Sequence, residues 1–199
     1  MEGLARLSEV LDRVVVWVGR IAAWVAIALM SVILFDVITR RFLVLGSTKL
    51  QELEWHLHTV LFALCLGFAY IKDAHVRIDL VRERLSVRAQ WWLELCGCLF
   101  FLIPFCLVVL YFGADWWQRS YAINEGSSSA TGLPYRWIIK AVLPIGFVFL
   151  LLATVTVVIR KLIELFGTEA LRQRVSQVEY QEAEPLMEPK ETEHKGPRR

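Results

Sequence analysis

The chain carries no G-x-x-x-x-G-K-[ST] loop, no G-x-S-x-G elbow and no H-E-x-x-H pair. It therefore offers no ATP-binding loop of that kind, and no serine or zinc site of the common types. No nucleophile stands with a base, so an enzyme is not expected. Charged residues make up only 21% and the net charge is +2, too small to argue for nucleic acid. The four cysteines, Cys65, Cys96, Cys98 and Cys106, all lie in apolar stretches without a C-x-x-C. No disulfide is expected, and Cys96-x-Cys98 points to two helix faces. The four histidines are His56, His58, His75 and His194. His56 and His58 lie about 200° apart around a helix, so they cannot share a haem, and the other apolar stretches carry none. No cofactor is expected. No internal repeat is evident.

What is present is apolar sequence: 56% of residues are hydrophobic and the mean hydropathy is +0.49. The excess sits in four blocks, about 15–38, 54–71, 91–113 and 137–159. A helix needs about 20 apolar residues to cross the hydrocarbon core. The blocks are too continuous for barrel strands, which alternate over about ten residues. The expected fold class is thus an all-α integral membrane protein with four transmembrane helices. Residues 1–166 form the membrane domain and 167–199 a polar cytoplasmic tail, expected to be disordered at its end, where Glu, Pro and Lys accumulate. The first block reads as a retained span, because Asp36, Arg40 and Arg41 follow it rather than a cleavage site.

Basic residues near the spans set an orientation. One side has Arg6, Arg13, Arg20, Lys72, Arg77, Arg82, Arg84, Arg88, Arg160, Lys161, Arg172 and Arg174; the other has Arg40, Arg41, Lys49, Arg119, Arg136 and Lys140. Twelve against six predicts both termini in the cytoplasm. Trp55, Trp116, Trp117 and Trp137 fall at outer ends and Trp17, Trp91 and Trp92 at inner ends, as an aromatic belt does; Trp24 lies deeper. Leu4, Leu7, Val10, Leu11 and Val14 follow helical spacing and suggest an amphipathic arm entering the first span. Between the second and third spans, apolar residues alternate with arginines, which suggests a short amphipathic connector on the inner surface.

The polar candidates stand at the span ends. Asp36 and Arg40 are four apart and can pair, as can Glu52 with His56 and Glu54 with His58. A short loop joins the first two spans, so Arg40 or Arg41 can meet Glu52 or Glu54; equally, the two glutamates can complement the positive end of the second helix. Thr48 with Gln51 fits a capping box. The run Asn124–Ser129 reads as turn chemistry and not as a site. Lys140 can snorkel outward. Pro104 and Pro144 lie inside the third and fourth spans and can kink them. So few charges near the midplane make a poor solute pathway, which favours an accessory or structural membrane subunit.

Three stretches in this order carry a resemblance. They are Arg40-Arg41-Phe42 followed by Leu50-Gln51-Glu52-Leu53-Glu54-Trp55-His56-Leu57; Ala74-His75-Val76-Arg77-Ile78-Asp79; and Gly132-Leu133-Pro134-Tyr135-Arg136-Trp137-Ile138-Ile139-Lys140, with Pro144 and Gly146 beyond. Over Val15–Leu165 the chain resembles the small membrane subunit of tripartite ATP-independent periplasmic (TRAP) transporters. The resemblance implies a large membrane subunit as direct partner and a periplasmic binding protein as transient one. It implies uptake of an organic acid anion, of the 2-oxoacid or hydroxy-acid kind, driven by a sodium or other ion gradient across the bacterial inner membrane. It further implies interface or bracing roles for Arg40, Arg41, Glu52, Glu54, His75, Arg77, Asp79, Pro134, Arg136 and Lys140. The rival class is a membrane anchor of an electron-transfer enzyme, and a second rival is an autonomous small transporter.

Overall fold

The computed structural model describes residues 1–43, 46–74 and 85–183, with side chains described as far as Val178. All regular structure among these residues is helical. Five helices follow in order: α1 (Glu2–Phe42), α2 (Thr48–Ile71), α3 (Val87–Ala122), α4 (Arg136–Phe166) and α5 (Glu169–Ala183). The first four are long and apolar enough to cross a membrane. Each extends past the apolar block that announces it, because polar residues at a span end keep the same helical ladder once lipid gives way to water. At 1.5 Å per residue, α1 with its 41 residues is about 60 Å long, twice the hydrocarbon core.

The helices run up and down, so the α1–α2 and α3–α4 connections share one end, the loop end. Both the start of α1 and α5 lie at the other, the terminal end. α4 packs against α1, α2 and α3 and is the central helix. Of its most apolar stretch 39% is buried, against 17% for each of the others. Small residues let the backbones approach, which is how helices pack when lipid removes the hydrophobic drive between them. A Cβ on Gly67 of α2 would meet the Phe149 carbonyl oxygen of α4 at 2.6 Å. One on Gly146 of α4 would run into the Ala63 backbone and its Cβ at 2.8 Å. Gly19 of α1 likewise receives the Phe68 side chain.

Three local details depart from the sequence expectations. The cap of α2 is Ser47, whose hydroxyl accepts from Leu50 N at 3.4 Å, one residue ahead of the Thr48–Gln51 box. α3 widens into a π-helical turn at Cys98–Leu102, just before Pro104. The wider turn moves the carbonyl that Pro104 would otherwise crowd and leave without a donor. The arm of α1 is helical, but its packed side is Ala5, Ser8 and Val15, while Leu4, Leu7, Val10 and Val14 are exposed. Val175 of α5 closes a small cluster with Ala5, Ile159 and Ile163, and Val15 packs instead with Ile71 and Ala153.

The inner connector expected between the second and third spans falls largely outside the described residues. Ser86 caps α3 there, accepting from Ala89 N at 3.4 Å. All four cysteines are free thiols.

Candidate functional site

The polar groups collect at the two ends of the bundle. At the loop end, the segment 123–135 between α3 and α4 is folded on itself. Ser127 N bonds Leu133 O at 3.1 Å, Gly132 N bonds Ser129 O at 3.1 Å, and Arg136 N bonds Glu125 O at 2.7 Å. Tyr135 takes a left-handed backbone, φ 61, which turns the chain from Pro134 into the first turn of α4 at Arg136.

Two side chains pin this loop to the helices. Glu52 of α2 accepts from Leu133 N at 2.6 Å through one carboxylate oxygen and from the Ser127 hydroxyl through the other. Thr131 Oγ1 reaches Thr48 Oγ1 at 3.2 Å beside it. Gly132 sits so close that a Cβ would meet Ser127 and stand 2.7 Å from Glu52 Oε1. On the other flank, Lys140 of α4 pairs with Glu125 of the loop, and its ammonium lies 4.4 Å from the centre of the Trp116 ring on α3. The Lys140 side chain is 12% exposed, so it is enclosed by its partners rather than extended to water. The Lys140 ammonium, and then other neighbours including Arg136, hold the Glu125 carboxyl below its ordinary value. Trp137 Nε1 donates to Asn124 Oδ1 at 3.2 Å and packs edge-on against Tyr121.

Glu52, Pro134, Arg136 and Lys140 are therefore brought together, and the loop between α3 and α4 is what they share. The expected pairing of Arg40 or Arg41 with Glu52 or Glu54 is not formed. Arg40 Nη2 bonds Asp36 Oδ2 at 2.6 Å within α1, and both Glu52 oxygens are occupied by the loop. Asp36 is an i−4 neighbour, needs no interhelical reach, and is itself only 7% exposed, so it outcompetes the longer pairing. Arg41 is exposed, and Glu54 Oε1 is buried without a hydrogen-bond partner among the described residues. His75, Arg77 and Asp79 lie outside the described residues.

The terminal end holds charged side chains that the sequence presents only as orientation signals. Arg160 of α4, 3% exposed, stands 3.4 Å from Asp12 of α1. Lys161, 8% exposed, reaches Glu164 at 3.1 Å and Glu94 of α3 at 4.0 Å. Arg174 of α5 makes two bonds, 2.7 and 2.9 Å, to Glu9 of α1. Four helices are thereby tied by charge at that end. A buried charge needs such partners to be tolerated.

Among the described residues no three His, Cys, Asp or Glu side chains cluster to hold a metal. The polar groups close on loops and neighbouring helices, and the bundle they bind has four helices long and apolar enough to cross a membrane. The comparison with protein families names its kind. The chain belongs to the DctQ component of the tripartite ATP-independent periplasmic transporters, whose family model matches residues 29–164. A comparison with curated proteins finds no match. The family is a transporter component and not an enzyme family; it works in the inner membrane with a large membrane subunit and a periplasmic binding protein. The match begins in the middle of α1 and ends near the foot of α4, so the arm and α5 lie beyond it.

Proposed function

We propose that this chain is the bracing subunit of its transporter: it holds the large membrane subunit in place while that subunit carries an organic acid anion inward, driven by an ion gradient. The observation that carries this reading is the direction of the polar contacts. Glu52 and Lys140 are spent on the loop 123–135, and Arg160 and Lys161 on the opposite end, so the bundle is a clamped body with its apolar flanks left outward. Met30, Leu34 and Phe35 of α1, and Phe100, Phe101 and Phe112 of α3, form those flanks. Van der Waals packing against another membrane protein needs such surfaces.

The twelve basic residues on one side favour both termini in the cytoplasm, which sets the loop 123–135 on the periplasmic face, toward the binding protein. In this reading residues 1–166 are the membrane body and the tail beyond is a cytoplasmic appendage. Glu52, Arg136, Lys140 and Pro134 shape the periplasmic corner, and Arg40, Arg41 and Glu54 stand beside it. His75, Arg77 and Asp79 serve the inner connector. The substrate class, a 2-oxoacid or hydroxy acid, and sodium as coupling ion rest on the sequence resemblance alone.

The test is a mild-detergent pull-down of the full chain through a C-terminal tag, with mass spectrometry of the associated proteins. A stoichiometric, very hydrophobic partner with many spans supports the reading. A flavin or iron–sulfur partner would overturn it in favour of the electron-transfer anchor, which the family does not favour.

A further inference from the structure

One face of α1 carries a stripe that the loop-end site does not use. Arg13, Trp17, Arg20 and Trp24 follow at i, i+4, i+7 and i+11, which places them within about 60° of one another around a helix. All four are exposed, Trp17 at 65% and Trp24 at 71%. The upper part of the stripe lines an open groove of about 480 Å³ shared with Glu9, Asp12 and Lys72, the C-cap of α2.

The charge in this groove is unequal. Glu9 is engaged by Arg174 and Asp12 stands against Arg160, and neither of those arginines lines the groove. Arg13 and Arg20 make no ion pair among the described residues, whereas Lys72 has a partner of its own. The groove also has a fixed depth. Directly past Arg20 the chain runs uncharged from Ile21 to Phe35, and α2 ends at Ile71, so the cations ring the boundary where lipid begins. Below them lie Ile21 and Trp24, both exposed and apolar. An anion that suits the cations and a chain that suits Ile21 and Trp24 belong to one amphiphile.

We propose that this groove holds the phosphate of an anionic phospholipid, with Arg13 and Arg20 beside the headgroup, Trp17 at the level of the glycerol, and an acyl chain along Ile21 and Trp24. Basic residues at the membrane surface attract anionic lipid at about 1 kcal/mol each, which is roughly fivefold in affinity.

Native mass spectrometry of the full chain in mild detergent tests it. The probes are phosphatidylglycerol and phosphatidylcholine of matched acyl chains, and inorganic phosphate. Phosphatidylglycerol is expected to be retained in preference to phosphatidylcholine, and Arg13→Gln with Arg20→Gln to lower that preference by roughly 25-fold. Both arginines are exposed, so the helical circular dichroism of the double variant should be unchanged. Arg119→Gln, which removes one charge at the opposite end, should leave the preference intact. Equal retention of the two lipids overturns the proposal. So does a double variant that keeps the preference, or an Arg119→Gln loss as large as that of the double variant. Displacement of phosphatidylglycerol by inorganic phosphate at equal concentration would show a soluble-anion site and overturn the lipid assignment.

Discussion

Glu52 on α2 accepts the backbone N–H of Leu133 at 2.6 Å across 81 positions of sequence. That carboxylate is one of the two side chains that hold the loop 123–135, and its second oxygen also receives Ser127. The two halves of the bundle, α1–α2 and α3–α4, are thus joined at the loop end by a side chain rather than by the chain itself.

Glu52→Ala should free the loop while leaving the helices formed. The expected outcome is faster proteolytic cleavage within 123–135 with unchanged helical circular dichroism. In the assembled transporter, uptake should fall with substrate preference unchanged. Altered preference with intact assembly would contradict a bracing role. Glu52→Gln keeps one acceptor for Leu133 N and should retain more of the wild-type resistance.

The Glu125–Lys140 pair sets a pH dependence. The folded-state pKa of Glu125 lies below the ordinary 4.5, so the unfolded chain takes up a proton first as pH falls. The stabilisation is fully present above that ordinary value and is lost as pH drops through the lower, folded value. Thermal midpoints of wild type and Lys140→Met should therefore differ most at neutral pH and converge in acid. A difference that grows as pH falls would contradict this sign.

Small residues set the spacing of α2 and α4. Gly67→Ala must push the Phe149 backbone away and should cost about 1–3 kcal/mol, as overpacking does. Gly97→Ala meets nothing within 4 Å and should be neutral or slightly stabilising. Detergent unfolding of the two variants side by side checks the contrast.

At the terminal end, Asp12→Ala removes a carboxylate that stands 3.4 Å from the buried Arg160 guanidinium. Breaking such a pair from one side costs about 3–5 kcal/mol. Glu9→Ala removes a pair whose arginine is 48% exposed and should cost under about 1 kcal/mol. Thermal unfolding of both variants should rank them in that order.

The four spans are legible in the sequence because each is a long apolar run, and no soluble or barrel arrangement accommodates four of them. The Asp36–Arg40 pair is legible because it is local. The partners of Glu52 are not, since Ser127 lies in a run whose composition serves equally well as a plain turn, and Leu133 contributes only a backbone N–H. Arg160 and Lys161 stand where orientation signals are expected, and nothing in their spacing reveals that Asp12 of α1 and Glu94 of α3 meet them. α5 itself is mostly polar, and Val175, with Leu171 packed beside it, supplies its apolar contact. What sequence hides here is which of several equivalent polar side chains is met by a distant backbone.

The most direct test of the account is ion-gradient-driven uptake in proteoliposomes containing the large membrane subunit, with binding protein and a radiolabelled organic acid outside, compared with and without this chain. The account predicts uptake only when both membrane subunits are present, and none from this chain alone. Uptake by this chain alone, or equal uptake by the large subunit without it, would contradict a bracing subunit that carries no pathway of its own.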